Sequence, residues 1–306
     1  MEDMICYFNG KYIRESEVRI SLNDLAFWEG FVYDIARTYN HVPFFWKEHD
    51  DRLSRSLHYT RINSGLTSEE MHNIALEVFE RNKNCFEPED DIIVVFRISR
   101  GAKAVHYSPL PPATPTVLIN LLHISPAYES MAKIYQEGIH LVVANTRQIP
   151  PQCLDVKAKI LNRMTNTLAT LEAKMVDPEA YCLMLDINGR VAEGSIYNCF
   201  MVQDGKLLTP KRDNVLGGIT RGTILRLARE LGIETVEMDL WTYDFYNADE
   251  IFIAATTFTI GPVAKFNEKL LPGPIPGPVT QQLLSAFSKL VGVDIVQRVV
   301  NYVKTI

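Results

Sequence analysis

The segments VAEGSIYN (191–198) and GGITR (217–221) decide how this chain is interpreted. In the first, Glu193 stands between an apolar run and a glycine, where a buried carboxylate needs a partner. In the second, a glycine pair opens a helical pattern, and the free N–H groups and positive dipole of a helix start favour a phosphate. Taken alone, Glu193 is equally compatible with a surface carboxylate. A tight turn capped by Thr220 is the simpler explanation of GGITR.

The sequence around these segments predicts a mixture of hairpins and helices. Tight hairpin turns are predicted at Asn9-Gly10, Asn188-Gly189 and Asp204-Gly205. Helices are predicted by apolar spacing over 49–62, 68–81, 164–177 and 217–232, and from Val279 onward. Strands are predicted by β-branched and apolar runs over 91–101, 116–124 and 249–263. This mixture favours an α+β fold over a doubly wound sheet.

The length of 306 residues suits two domains, and a 47% hydrophobic composition can bury a sizeable core. We predict an N-terminal α/β domain over 1–122, an interdomain loop over 123–131 and a C-terminal domain over 132–306.

Charge and cysteine usage restrict the partners and the compartment. The formal net charge is −6 and the basic residues are scattered, so neither nucleic acid nor a membrane is expected as a partner. Five cysteines without a C-x-x-C spacing argue against a disulfide framework or a zinc site and favour a reducing compartment. No apolar window approaches the roughly 18 residues of a membrane span. These features predict a cytoplasmic protein without a bound metal.

Lysine and hydroxyl side chains supply further candidates for chemistry. Lys159 precedes Ile160 and Leu161, and burial there would lower its pKa and make the amine nucleophilic, although an ordinary surface lysine is the simpler explanation. Thr256 and Thr257 at a strand end suit a phosphate or a substrate, or simply cap the strand.

An arginine pair on a predicted helix is a further candidate. Arg52 and Arg55 are three residues apart and suit either an anion clamp or a solvated basic face.

The order of the motifs makes the chain resemble the class IV aminotransferases, the fold-type IV enzymes that use pyridoxal 5′-phosphate (PLP). The matching segments, which run over nearly the whole chain, are YFNG, GFVYD, HDDRL, SRG, KILN, VAEGSIYN, GGITR and ATTFTIGPV. The family includes branched-chain and D-amino acid aminotransferases, (R)-selective amine transaminases and aminodeoxychorismate lyase. The resemblance implies a two-domain fold like that of D-amino acid aminotransferase, with PLP between the domains, and a homodimer or larger assembly.

The resemblance also implies the two residues that act on the cofactor. Lys159 matches the Schiff-base lysine, because Asn162 follows three residues later and Glu193 follows 34 residues later. Lys157 remains an alternative, since the preceding Asp155-Val156 pair also matches the family. Glu193 matches the carboxylate that keeps the pyridine nitrogen protonated, so that the ring withdraws electrons.

Other cofactor roles follow from the same resemblance. Phosphate contacts are implied for Arg52 of the H-x-x-R-L segment, Gly218, Ile219, Thr220 and Thr256. Arg163 stands where many members have tyrosine and is expected to reach the ring hydroxyl of PLP.

The substrate residues match less closely. Tyr33, His106 and Thr257 are expected beside the substrate. The strand over 91–101 lacks the aromatic-x-arginine pattern of branched-chain enzymes and has Arg97 displaced, and Ala104 replaces the arginine of the Arg-x-His pair of D-amino acid enzymes. These differences leave the identity of the donor open.

The predicted reaction moves an amino group from a small amino acid or chiral primary amine to a 2-oxo acid, with Lys159 carrying the proton. Two alternatives stay open at this point. One is a lyase that eliminates pyruvate from an aminated chorismate, and the other is a non-catalytic protein that binds phosphate ligands on the same scaffold.

Overall fold

A computed structural model describes residues 3–87, 90–103 and 114–305 of the chain. The predicted substrate residue His106 therefore lies outside the described residues. The helices are α1 Ala26–Glu29, α2 Trp46–Thr60, α3 Ser68–Asn82, α4 Tyr128–Glu137, α5 Met164–Val176, α6 Ile219–Glu230, α7 Thr242–Tyr246, α8 Pro278–Val291 and α9 Ile295–Thr305. The strands are β1 Ile5–Phe8, β2 Lys11–Arg14, β3 Val32–Tyr39, β4 Val42–Pro43, β5 Ile92–Ser99, β6 Thr116–His123, β7 Ile139–Val143, β8 Tyr181–Leu183, β9 Asn198–Gln203, β10 Lys206–Pro210, β11 Thr235–Met238, β12 Glu250–Ala255, β13 Thr259–Phe266 and β14 Lys269–Leu270.

The chain divides into two compact units. The first unit contains residues 1–125 and 158–162, and the second contains residues 126–157 and 163–306. The domain boundaries predicted from the sequence stay a prediction. Within the predicted interdomain loop, however, residues 128–131 form the first turn of α4, whose buried face includes Tyr128 and Met131.

The first unit is built on an antiparallel sheet with the strand order β2-β1-β6-β5-β3-β4. Alternate residues of β5 point to opposite faces, and Ile92, Val94, Phe96 and Ile98 lie in one buried cluster with residues of α2 and α3. The other face carries Arg97, so β5 presents an apolar core on one side and a cation on the other.

The second unit contains a mixed sheet with the order β11-β10-β9-β12-β13-β7-β8, and β14 also pairs with β13. Its central strands β9, β12 and β13 are almost fully buried. In this core, Phe200 of β9 stacks on Phe252 of β12 with ring centroids 4.9 Å apart.

Local sequence signals explain where several elements begin and turn. Asn9 and Gly10 have φ angles of 48° and 86°, and Asp204 and Gly205 have φ angles of 51° and 73°, as tight hairpin turns require. Two of the three predicted hairpins form as β1–β2 and β9–β10. At the third, Asn188-Gly189, the chain turns between Leu185 and Val191, which form an isolated antiparallel bridge and not a strand pair. Thr67 caps α3 in a capping box with Glu70.

Two predicted elements differ from the structure. The single strand predicted over 249–263 is wrong, because β12 and β13 form an antiparallel hairpin in which Ala255 pairs with Thr259. Thr259 has a φ of 62°, a conformation that a β-branched residue seldom adopts, so the sequence carries no turn signal here. The chain also forms α9 after the helix predicted from Val279. None of the described helices is long and apolar enough to span a bilayer.

Candidate active site

The predicted catalytic residue Lys159 lies beside the start of β3 in the first unit. The backbone N–H of Tyr33 donates to the carbonyl of Lys159 over 3.0 Å, and Leu161 N–H donates to Phe31 O over 2.7 Å. Between these two hydrogen bonds, Ile160 forms an isolated antiparallel bridge with Val32 at the start of β3. The bridge fixes the backbone of the neighbouring lysine, as pre-organised chemistry requires.

Side chains hold the same lysine from two directions. The N–H of Lys159 donates to the hydroxyl of Ser56 over 3.1 Å, and that hydroxyl donates to the carbonyl of Arg52 over 2.8 Å. The Lys159 Nζ atom lies 4.5 Å from the centroid of the Tyr33 ring. A ring at this distance covers part of the amine and so partly removes it from water.

The alternative lysine has a different environment. Lys157 is exposed, and its Nζ lies 3.2 Å from Asp155 Oδ2 in a surface ion pair. Lys159 is half-buried. Partial desolvation is what makes a lysine amine a nucleophile at neutral pH, so these surroundings favour Lys159 over Lys157.

Arg52 belongs to a buried ionic cluster between α2 and β3. Its Nε and Nη2 atoms donate to the two Asp34 carboxylate oxygens over 2.8 and 2.7 Å, and His49 Nδ1 lies 2.8 Å from the same carboxylate. Burial raises the pKa of Asp34, but the Arg52 charge and the His49 contact outweigh it and hold that pKa well below its usual range. Burial lowers the pKa of His49 although Asp34 opposes this shift.

The pairing leaves Arg52 one terminal nitrogen, Nη1, without a hydrogen bond to any residue in the described part of the chain. Arg52 is thus held rigidly by Asp34 and retains only this part of its guanidinium for an anion. Asp34 and His49 were not identified from the sequence, because their contacts with Arg52 join two separate elements.

The sheet register places Arg97 on the same face as Tyr33. The two residues are directly paired between β5 and β3 and so project to the same side. The Arg97 Nη1 atom donates to Asn120 Oδ1 over 2.6 Å, and Asn120 Nδ2 donates to Glu15 Oε1 over 2.7 Å. Burial lowers the pKa of Arg97. The alternation along β5 was the sequence signal that could have identified this cation.

The second unit gathers its candidate residues at one end of the sheet. Strand β9 is antiparallel to both β10 and β12, so its first residues lie where the other two strands end. Glu193 shortly precedes β9, the GGITR segment follows β10, and Thr256 follows β12. Topology therefore explains why segments far apart in the chain lie close together.

Glu193 is buried, and the hydrogen bonds that it accepts include those from three neutral N–H donors. Gln148 Nε2 donates to Oε1 over 3.0 Å, and Asn198 Nδ2 and the Leu216 N–H donate to Oε2 over 2.9 and 3.0 Å. A carboxylate surrounded by donors is satisfied in its ionised form, which accepts hydrogen bonds only. Neither Gln148 nor Asn198 was identified from the sequence.

The glycine pair leads into the start of α6. Gly218 is the N-cap residue and provides no side-chain cap. The N–H groups of Ile219 and Thr220 have no acceptor among the residues that the structure describes, and Thr220 is buried. Unused N–H groups at the positive end of a helix suit a phosphate.

The threonine pair occupies the turn between β12 and β13. Thr256 and Thr257 are half-buried, and the following Phe258 is buried. The hydroxyl of Tyr135 in α4 donates to the carbonyl of Phe258 over 2.5 Å. This buried hydrogen bond holds the turn in place. Arg163 is the half-buried N-cap residue of α5, and its predicted contact with the cofactor stays a prediction.

These residues fit the predicted cofactor. A half-buried lysine suits a covalent link to an aldehyde, and an ionised buried carboxylate suits a protonated ring nitrogen. The unused N–H groups of α6 suit the phosphate, and the absence of a Cβ at Gly218 leaves room for the Asn198 amide beside the start of this helix.

Comparison with known proteins identifies the relatives of the chain. Residues 31–266 match the family model described as amino-transferase class IV. A Methanocaldococcus jannaschii protein assigned to the branched-chain-amino-acid aminotransferases is 31% identical over 290 residues, which are 94% of this chain and 96% of that protein. The D-alanine aminotransferase of Staphylococcus aureus is 28% identical, covering 93% of this chain and 97% of its own.

Solved structures give the same result. The T.th. branched-chain amino acid aminotransferase complexed with N-(5′-phosphopyridoxyl)-L-glutamate matches with a TM-score of 0.83 and 25% identity, over 95% of each chain.

Proposed function

Because the chain belongs to the class IV aminotransferases, we propose that it moves the amino group of a small amino acid or chiral primary amine to a 2-oxo acid, with Lys159 as the catalytic residue. The chain is a PLP-dependent transaminase of fold type IV. The relatives reported above are aminotransferases, and nothing in them favours the lyase or the non-catalytic binding protein.

The placement of Lys159 is the observation that carries the assignment. PLP, when bound, withdraws electrons from the substrate carbon and stores the amino group between the two half-reactions. Lys159 holds the cofactor covalently and, once released, carries a proton on Nζ to and from the substrate carbon. Its backbone hydrogen bond with Tyr33 and the Ser56 contact support a fixed position for this amine.

The remaining roles divide between the ring and the phosphate. Glu193 keeps the ring nitrogen protonated, and the N–H groups that donate to it support the ionised form of this carboxylate. The Ile219 and Thr220 N–H groups bind the phosphate at the start of α6, beside Gly218. The further phosphate ligands are Thr256 and Arg52, the latter through Nη1, and Arg163 contacts the ring hydroxyl.

Substrate recognition is assigned to Tyr33, His106 and Thr257, and the register adds Arg97 to this set. Arg97 faces the same side of the sheet as Tyr33 and has no carboxylate in direct contact among the described residues. A half-buried cation beside the tyrosine suits the carboxylate of an amino acid or 2-oxo acid.

The proposal also includes a homodimer or larger assembly in the cytoplasm. All five cysteines are free thiols, which is compatible with a reducing compartment.

The visible absorbance of the purified protein tests the proposal. The PLP-loaded protein should be yellow, and L-leucine, D-alanine and (R)-1-phenylethylamine should be added separately without an acceptor. Bleaching by a donor demonstrates the first half-reaction and identifies the donor class. Recovery of the colour with a 2-oxo acid demonstrates the second half-reaction and excludes the lyase.

A matched pair of variants tests the lysine. Lys159→Ala should lose the lysine-linked absorbance and all transfer, whereas Lys157→Ala should keep both, because Lys157 makes only a surface ion pair. The opposite result would assign the catalytic role to Lys157. A protein that stays colourless after addition of PLP would refute the proposal as a whole.

A further inference from the structure

We propose that Asn198 is a positioning residue that fixes the Glu193 carboxylate and the phosphate-binding loop in one arrangement, so that both ends of PLP are recognised together. The inference rests on the proposed roles of Glu193 and of the α6 N-terminus. Asn198 is the first residue of β9 and is 6% exposed.

The amide of Asn198 bridges the two segments directly. Its Nδ2 donates to Glu193 Oε2 over 2.9 Å and to the carbonyl of Leu216 over 3.0 Å. Both partners are acceptors only, so the nitrogen and not the oxygen must face them. Leu216 also donates its N–H to Glu193 Oε2, which closes a compact ring of hydrogen bonds.

The same amide sets the position of the glycine pair. A Cβ on Gly218 would lie 2.2 Å from Asn198 Oδ1, so the amide occupies the space of that missing atom. The N–H of Gly218 donates to Leu216 O over 2.7 Å, the carbonyl that also accepts from Asn198. The carboxylate and the start of α6 are therefore linked through one side chain.

This link predicts that loss of the amide weakens recognition of both ends of the cofactor. Removing a hydrogen bond to a buried charged group weakens an interaction by about 10-fold to 100-fold. We expect Asn198→Ala to weaken PLP binding by that factor. The advantage of PLP over pyridoxal, which lacks the phosphate, should fall at the same time, since the loop that binds the phosphate is no longer held.

The experiment titrates apoenzyme with PLP and with pyridoxal and follows absorbance, and thermal unfolding of each apoprotein reports folding. Asn198→Asp is the decisive variant, because aspartate keeps the size of the side chain but cannot donate to Glu193 when ionised. We expect it to bind PLP at least as weakly as Asn198→Ala. Asn166→Ala is the control, since Asn166 Nδ2 donates to Ser195 O over 3.2 Å and does not contact Glu193.

The outcomes are distinct. If Asn198→Asp binds PLP with wild-type affinity, Asn198 only fills space, and the inference is overturned. An unchanged ratio of PLP to pyridoxal affinity in both variants would also overturn it, as would an equal effect of Asn166→Ala. Failure of the wild-type protein itself to bind PLP would instead refute the proposed function.

Discussion

Two glycines at and near the start of α6 allow a test of the proposed phosphate-binding site. Gly218 has φ −61° and ψ 135°, a conformation open to any residue, so an alanine there meets no backbone strain. Its Cβ would nevertheless lie 2.2 Å from Asn198 Oδ1 and 3.3 Å from the Cβ of Arg221. Gly222, one turn later, is exposed, and a Cβ added there would meet no described atom within 4 Å.

The magnitude follows from these distances. Restoring an ordinary contact at Gly218 requires a displacement of about 1 Å. Such a shift would break the Asn198 hydrogen bond to the Glu193 carboxylate, and loss of a hydrogen bond to a buried charged group can cost about 100-fold in affinity. Gly218→Ala should therefore weaken PLP binding by about 100-fold. Gly222→Ala should leave PLP binding unchanged and stabilise the helix by about 1 kcal/mol, because alanine is the better helix former.

The assay is titration of dialysed apoprotein with PLP, together with thermal unfolding of both apoproteins. The stabilisation from Gly222→Ala corresponds to a rise of about 2 °C in the unfolding midpoint for a chain of this size. If Gly218→Ala binds PLP as tightly as the wild-type protein, the close contact between Gly218 and Asn198 does not matter for PLP binding, and this explanation is refuted. Loss of PLP binding in Gly222→Ala would equally contradict it.

Three further changes probe the supports of the site. Tyr135→Phe removes the hydrogen bond to Phe258 O and should lower the free energy of unfolding by about 1 kcal/mol, measured by urea denaturation; no change would mean that the bond contributes nothing. Asp34→Asn leaves the buried Arg52 charge without its counter-ion and should lower the free energy of unfolding by about 3 kcal/mol in the same measurement. An unchanged free energy of unfolding would show that the Arg52 charge does not need Asp34. The pKa of His49 is lowered in the folded protein, so the unfolded chain binds a proton more readily and the free energy of unfolding should fall as pH drops below about 6.5. His49→Gln should reduce this fall between about pH 7 and pH 5. An unchanged pH profile of the variant would exclude His49 as the source of the fall.

The backbone conformation could be predicted from the sequence wherever one or two residues determine a turn. Asn9-Gly10 and Asp204-Gly205 adopt the positive φ angles that their residue types allow, and the predicted hairpins form. The hairpin after Ala255 was missed because Thr259 enters the same region of φ without glycine or asparagine. Sheet pairing with Ala255, and not the preference of threonine, imposes that turn.

The sequence predicted those residues of the candidate site whose side-chain type suits a specific chemical role. Lys159 and Glu193 stand out in the sequence, and the spacing to Asn162 and Glu193 already favoured Lys159 over Lys157. The burial of Lys159 and its contact with the Tyr33 ring add support that only the structure provides. The supporting residues, such as Asn198, were invisible. Their importance lies in hydrogen bonds to distant segments, and a sequence does not display partners that only the folded chain brings together.

The grouping of residues 158–162 with the first unit has a consequence for biosynthesis. The ribosome releases residues 1–125 first, yet β3 lacks the neighbour provided by Lys159 and Leu161 until 162 residues have been made. By then α4 and β7 of the second unit have already been synthesised. The N-terminal unit therefore acquires its last contacts along β3 late in synthesis. A nascent chain halted at residue 125 would contain Tyr33 but not Lys159, which contacts the Tyr33 ring in the folded protein.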